Sequence, residues 1–237
     1  MKLISRLWNL LILSTVLALI FHNLTAKLVL QFALRSVLGV PASIGRVELS
    51  FPNTSVLFRD IEMGNPSGLP QGKMARIPKI FLDFEVSSIF EGRIHFETVE
   101  IVFEELRVIR FPEGINLLSL KSMESSSRRK DRREAQSRPV QFQIDELVLT
   151  LGRATYMDLT GATPLIRNVE ISLKEATYRD IHGLGDIVKV VTWETLKRMA
   201  LPGLGNILNQ IGGEVGLMPG GAKGVFEKAV LAMREKL

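Results

Sequence analysis

The sequence predicts an α+β protein: an N-terminal transmembrane helix, a long antiparallel β-sheet and C-terminal amphipathic helices. Three observations predict it. An uncharged apolar run fills Leu7 to Phe21. From residue 44 apolar side chains recur at every second position. From residue 183 they recur at helical spacing. A period of two marks a strand with one dry face, and a period near 3.6 marks an amphipathic helix.

The anchor comes first. Only Asn9, Ser14 and Thr15 interrupt the run, and Lys2 and Arg6 precede it. Extended over 3–24, it reaches the roughly 20 residues that a bilayer-spanning helix needs. Leu7, Leu11, Leu17 and Phe21 are its expected membrane-anchor residues. The rival reading is a cleaved signal peptide, but Leu24-Thr25-Ala26 is a poor cleavage site. Lys2 and Arg6 favour a cytoplasmic N-terminus, with the bulk of the chain on the far side. The expected organisation is an anchor over 1–26, a first β-block with a leading helix over 27–120, and a basic loop over 121–139. A second β-block covers 140–181, and C-terminal helices cover 182–237.

A second helix follows the anchor. Leu28, Val29, Phe32 and Ala33 share one face, and Gly39 with Pro41 should end it. Either it packs on the sheet, or it plugs one end of the domain beside the membrane.

Val47, Leu49 and Phe51 then alternate with Arg46, Glu48 and Ser50. Val56, Phe58, Ile61 and Met63 form the next set, with a change of phase at Arg59-Asp60 that predicts a bulge or bend. Asn65-Pro66-Ser67-Gly68 is a turn signal. Ile80, Leu82, Phe84 and Val86 follow, then Ile94, Phe96, Val99, Ile101 and Phe103, with turns at Glu91-Gly92 and Pro112-Glu113-Gly114. Residues 121–139 carry seven basic and three acidic residues and almost nothing apolar, as an exposed loop does. Ile144, Leu147, Leu149 and Leu151 resume the strands, Gly152-Arg153 reads as a turn, and Ile166, Val169, Ile171 and Leu173 form the last strand.

The C-terminal part has three apolar stripes. Leu184, Ile187, Val188 and Val191 form the first, and Leu204, Ile207, Leu208 and Ile211 the second. Val225, Phe226, Ala229, Val230 and Met233 form the third. They are expected to pack on the open face of the sheet, or to dock on a membrane or partner.

Composition limits the chemistry. With no cysteine among 237 residues, disulfides, thiol catalysis and zinc–thiolate sites are excluded. His22, His95 and His182 stand at no metal-ligand spacing. Gly216 to Gly221 has the gap of a phosphate loop, but Ala222 occupies the lysine position. No Gly-x-Ser-x-Gly elbow occurs. The expectation is therefore no enzyme, no cofactor, no metal and no nucleic-acid partner. A net charge of +5 suits anionic membrane surfaces.

The order of these elements resembles the N-terminal region of AsmA-like proteins. The anchor, the short helix ending at Gly39 and the strand Ser43 to Ser50 carry the resemblance. So do Ile61 to Gly68 with its Asn-Pro-x-Gly turn, Ile80 to Phe84 and Ser87 to Ile94. Val108-Ile109-Arg110, Glu113 to Leu117 and the Ile144 to Asp158 rhythm complete it. The chain differs from typical members in being shorter and in ending on helices. The resemblance implies a long, curved, groove-like sheet. It also implies lipid binding, lipid transport or envelope assembly in the periplasm, from a single-pass inner-membrane anchor. Membrane lipids are the implied partners, with other envelope proteins beside them. Phe58, Leu82, Phe84 and Phe96 are the expected lipid-facing residues of the groove. The alternative is a structural or assembly factor that acts by protein contact, its apolar sheet face sealed by its own C-terminal helices.

Overall fold

The computed structural model describes residues 27–32, 34–50, 53–91, 93–120, 141–199 and 211. The expected anchor with Leu7, Leu11, Leu17 and Phe21, the loop 121–139 and all of the stripes beyond residue 199 except Ile211 lie outside these residues. Among the described residues no helix is long and apolar enough to cross a membrane.

Helix α1 covers 27–38, with residue 33 not described. Gly39 ends it in the left-handed conformation, φ 72°, which only glycine adopts without strain. Its N–H closes the last turn on Arg35 O at 2.8 Å. The buried face differs from the expected one. Leu30, Leu34 and Leu38 pack on the core, whereas Leu28, Val29 and Phe32 are exposed. Both faces are apolar, so periodicity alone could not choose between them.

The strands are β1 (Ala42–Ser50), β2 (Ser55–Gly64), β3 (Lys73–Phe84), β4 (Arg93–Phe111), β5 (Gly114–Ile115), β6 (Gln141–Asp158) and β7 (Leu165–Ile181). A short helix α2 (Val86–Phe90) links β3 to β4, a 3-10 turn (Asn116–Ser119) follows β5, and helix α3 (Leu184–Met199) follows β7. Val86 therefore belongs to a helix rather than to β3. The strands make one seven-stranded sheet in the order β1-β2-β3-β4-β6-β7, with β5 paired to β4.

The sheet is mixed, and the expectation of a wholly antiparallel sheet is corrected at one pairing. β4 and β6 run parallel from Arg93↔Gln141 to Arg110↔Asp158. A parallel pair needs a return connection of a dozen residues or more, and the chain between Phe111 and Gln141 makes it. Alternation reports which face of a strand is dry; it carries no information on strand direction.

The expected turn at Gly152-Arg153 is also corrected. β6 runs through it, and the register shifts there instead. On the neighbouring strands the dry face changes phase in the same rows while the pairing register there holds. Inward residues stand three apart at Ile44 and Val47, Phe58 and Ile61, Ile77 and Ile80, Phe103 and Leu106, and Leu151 and Ala154. These phase changes form a line across the sheet. Asp60 takes φ 54° opposite Gly45, whose missing Cβ would lie 2.8 Å from Asp60 Cβ. A Cβ on Gly152 would lie 2.8 Å from Glu104 O. With one extra residue between inward positions on each strand, the alternation changes phase on paired strands together, so their ladder stays matched and the dry face stays inward.

One core unites α1, the inner face of the sheet, the 3-10 turn and α3. The outer face carries ion pairs such as Lys79–Glu100 at 2.6 Å and Lys73–Glu62 at 2.6 Å. Such exposed pairs add little stability, but they identify the wet face.

Candidate functional site

The inner face holds an apolar cavity of about 120 Å³. Leu34 and Leu38 of α1 form one wall, and Leu184, Ile187, Val188 and Val191 of α3 form another. The floor is the sheet, from Ile61 and Met63 through Ala75, Ile77 and Ile80 to Ile101, Phe103 and Leu106. All seventeen lining residues are apolar. A space lined this way offers water no hydrogen bonds, so it favours hydrocarbon over water.

The four expected groove residues are half-buried and lie beside this cavity, not in it. Phe58 pairs with Ile80, which lines the cavity and is itself half-buried. Leu82 pairs with Val56 on one side and Val99 on the other. Phe84 pairs with Phe96. A half-buried apolar track therefore continues from the cavity along β3 toward Phe84. The stripe Leu184, Ile187, Val188 and Val191 was readable in the sequence. Leu34 and Leu38 were not singled out, although their spacing to Leu30 is the signal that finds them.

Two polar clusters frame this region. Asn116, fully buried, accepts from Ile109 N–H at 2.9 Å and donates to Arg107 O at 2.9 Å and Asn65 Oδ1 at 3.3 Å. Asn65 donates in turn to Pro70 O at 2.8 Å. The Asn-Pro-x-Gly turn and the Gly-Ile-Asn-Leu segment thus meet as one hydrogen-bonded corner. At the end of β6, Asp158 pairs with Arg110 at 3.3 Å and accepts from Thr160 N–H at 2.9 Å. The Thr160 hydroxyl, chiefly, holds its carboxyl below the usual range. Both clusters close strand ends and point no reactive group at the cavity.

His95 stands at the other end of β4. Its Nδ1 lies 2.7 Å from Glu85 Oε2, and its Nε2 lies 2.9 Å from Asp145 Oδ2, off the direction of a hydrogen bond. The Glu85 contact, then Asp145, raises the histidine above its ordinary value. Glu85 is held low, chiefly by the Ser87 hydroxyl and next by His95. The imidazole separates the two carboxylates, so the three do not converge on a point. Among the described residues no group of three such side chains could hold a metal ion.

A larger space of about 270 Å³ lies among Glu105, Arg153, Thr155, Asn168 and Glu170. Within it the Thr155 hydroxyl donates to Asn168 Oδ1 at 2.9 Å, and Arg153 pairs with Glu104 at 3.9 Å, outside the lining. It offers no converging set of catalytic groups. The apolar cavity is therefore the better candidate.

No protein family, curated protein or solved structure matches the chain.

Proposed function

We propose that this is a membrane-anchored, AsmA-like protein that binds or handles lipid between bacterial membranes. In this reading the N-terminus is cytoplasmic, the bulk is periplasmic and the sheet is a curved groove. The observation that carries it is the all-apolar cavity, continued by the half-buried track through Phe58, Leu82, Phe84 and Phe96. Soluble folds rarely leave contiguous apolar surface without a use for it. A cavity of 120 Å³ is close to the roughly 150 Å³ of engineered apolar cavities that take up benzene. It suits the end of an acyl chain, with the remainder along the track and the headgroup outside. The order of sequence motifs points the same way.

A second reading rests on a different observation. α3 lays Ile187, Val190, Val191 and Leu196 into the core, so one of the C-terminal helices does cover part of the sheet. Full sealing would make the chain an assembly factor that acts by protein contact. Native mass spectrometry of the detergent-purified full chain separates the two. The lipid reading expects co-purified lipid, reduced in Ala75→Leu, which fills the cavity floor. A lipid-free wild type, with Ala75→Leu more stable than it, would support the sealed core and remove the lipid reading.

A further inference from the structure

We propose that the outer face of α1, formed by Leu28, Val29 and Phe32, is a bilayer-docking surface. It seats one wall of the cavity against the membrane. The inference rests on the anchored reading above and adds the surface through which the folded part meets the lipid. Leu28, Val29 and Phe32 are 59%, 66% and 74% exposed. Leu28 and Phe32 stand one turn apart on the same side, with Val29 beside them. The opposite side of the same helix, Leu34 and Leu38, lines the cavity. α1 is thus apolar on both sides, one turned to the cavity and one left open.

The occupant follows from where the preceding chain ends. The apolar stretch 3–24 stops three residues before Lys27, and three residues reach roughly 11 Å at full extension. If that stretch spans a bilayer, α1 must begin at its surface. A helix in the interface buries its apolar side about 5–10 Å into the headgroup boundary, a depth within the reach of that link. Charge agrees. Residues 27–38 contain Lys27 and Arg35 and no acid. Both basic groups fold back to β1, with Lys27 Nζ donating to Gly45 O at 2.8 Å and Arg35 Nε to Ala42 O at 2.6 Å. These bonds hold the helix flat on the sheet and keep its exposed side accessible. A second copy is the poorer occupant, since a stable pair buries about 800 Å² a side, far more than three side chains offer.

The test uses the full chain in phosphatidylcholine–phosphatidylglycerol vesicles containing acyl-brominated lipid, which quenches tryptophan on contact. The chain has two tryptophans, Trp8 and Trp193. The variant Trp193→Phe reports Trp8 in the anchor. The triple variants Trp8→Phe, Trp193→Phe with either Phe32→Trp or Val29→Trp report α1, and circular dichroism checks that each is folded. The expected result is strong quenching at all three positions. Trp8 quenched with positions 29 and 32 unquenched overturns the docking surface and leaves the anchor standing; the occupant is then a protein segment such as 225–233. No quenching at Trp8 overturns the anchor reading, and positions 29 and 32 unquenched as well overturns the docking surface with it. Quenching at 29 and 32 alone keeps the surface and removes the anchor.

Discussion

The two ends of the sheet's inner face differ in how completely they are covered. Along β3, burial fades from Met74 and Ala75, 1% and 2% exposed, to the half-buried Ile80, Leu82 and Phe84. Across the register, Leu49, Val56 and Leu82 are half-buried, while Val99, Leu147 and Tyr178 in the same row are buried. The side chains are of the same kind throughout. What changes is the partner: α1, the 3-10 turn and α3 contribute to the core at one end, and the described residues leave the other end partly open. Residue chemistry alone does not distinguish a core from a groove, because both need a continuous dry face.

The largest effect expected from this contrast comes from placing one charge in the buried part of the face and one in the half-buried part. Leu149 is fully buried, so Leu149→Asp leaves an unpaired ion in a dry core and should abolish the cooperative unfolding transition. Leu82→Asp sits where water or a headgroup can reach it, and should still unfold cooperatively while losing bound lipid. Thermal unfolding by circular dichroism reads both. Equal collapse of the two variants would mean that the open end is as closed as the other.

A middle-sized effect lies within the closed end. Asn116→Ala removes both partners of a buried corner, leaving Ile109 N–H and Arg107 O unsatisfied. The cost should be about 1–3 kcal/mol, seen as a drop of several degrees in Tm. An unchanged Tm would show that this corner does not hold the β4–β5 end together.

The smallest effect concerns the His95 contacts at the open end. The histidine titrates higher in the folded chain, through Glu85 first and Asp145 next. Its contribution is therefore complete below the ordinary value of about 6.5 and is lost as pH rises through the higher folded value. Glu85, shifted down, contributes above its ordinary range and loses that contribution as pH falls. Stability from this cluster should thus peak in mildly acidic solution, modestly, because all three groups touch solvent. His95→Gln should flatten the alkaline side of a plot of Tm against pH. An identical slope in the variant would remove His95 as its source.

Much of the strand pattern was readable because burial on one face forces a period of two. Phe58 and Ile61 revealed the change of phase at Asp60, through which β2 stays in register with β1 and β3, and Gly39 revealed the end of α1. Other features were ambiguous for definite reasons. Gly152-Arg153 reads as a turn because a turn and a bulge use the same residue types; only the unbroken pairing to β4 distinguishes them. The half-buried state of Phe58, Leu82, Phe84 and Phe96 was not readable either, since it depends on where α1 and α3 stop.

By itself the sequence determined most of the described strands, their dry faces and the end of α1 at Gly39, because these depend on residue type and local spacing. The tertiary structure decided that β4 and β6 run parallel, that α1 turns Leu34 inward and Phe32 outward, and that a cavity remains between two helices and a sheet. Those outcomes depend on contacts between residues far apart in the chain, where many arrangements satisfy the same local pattern and only packing selects among them.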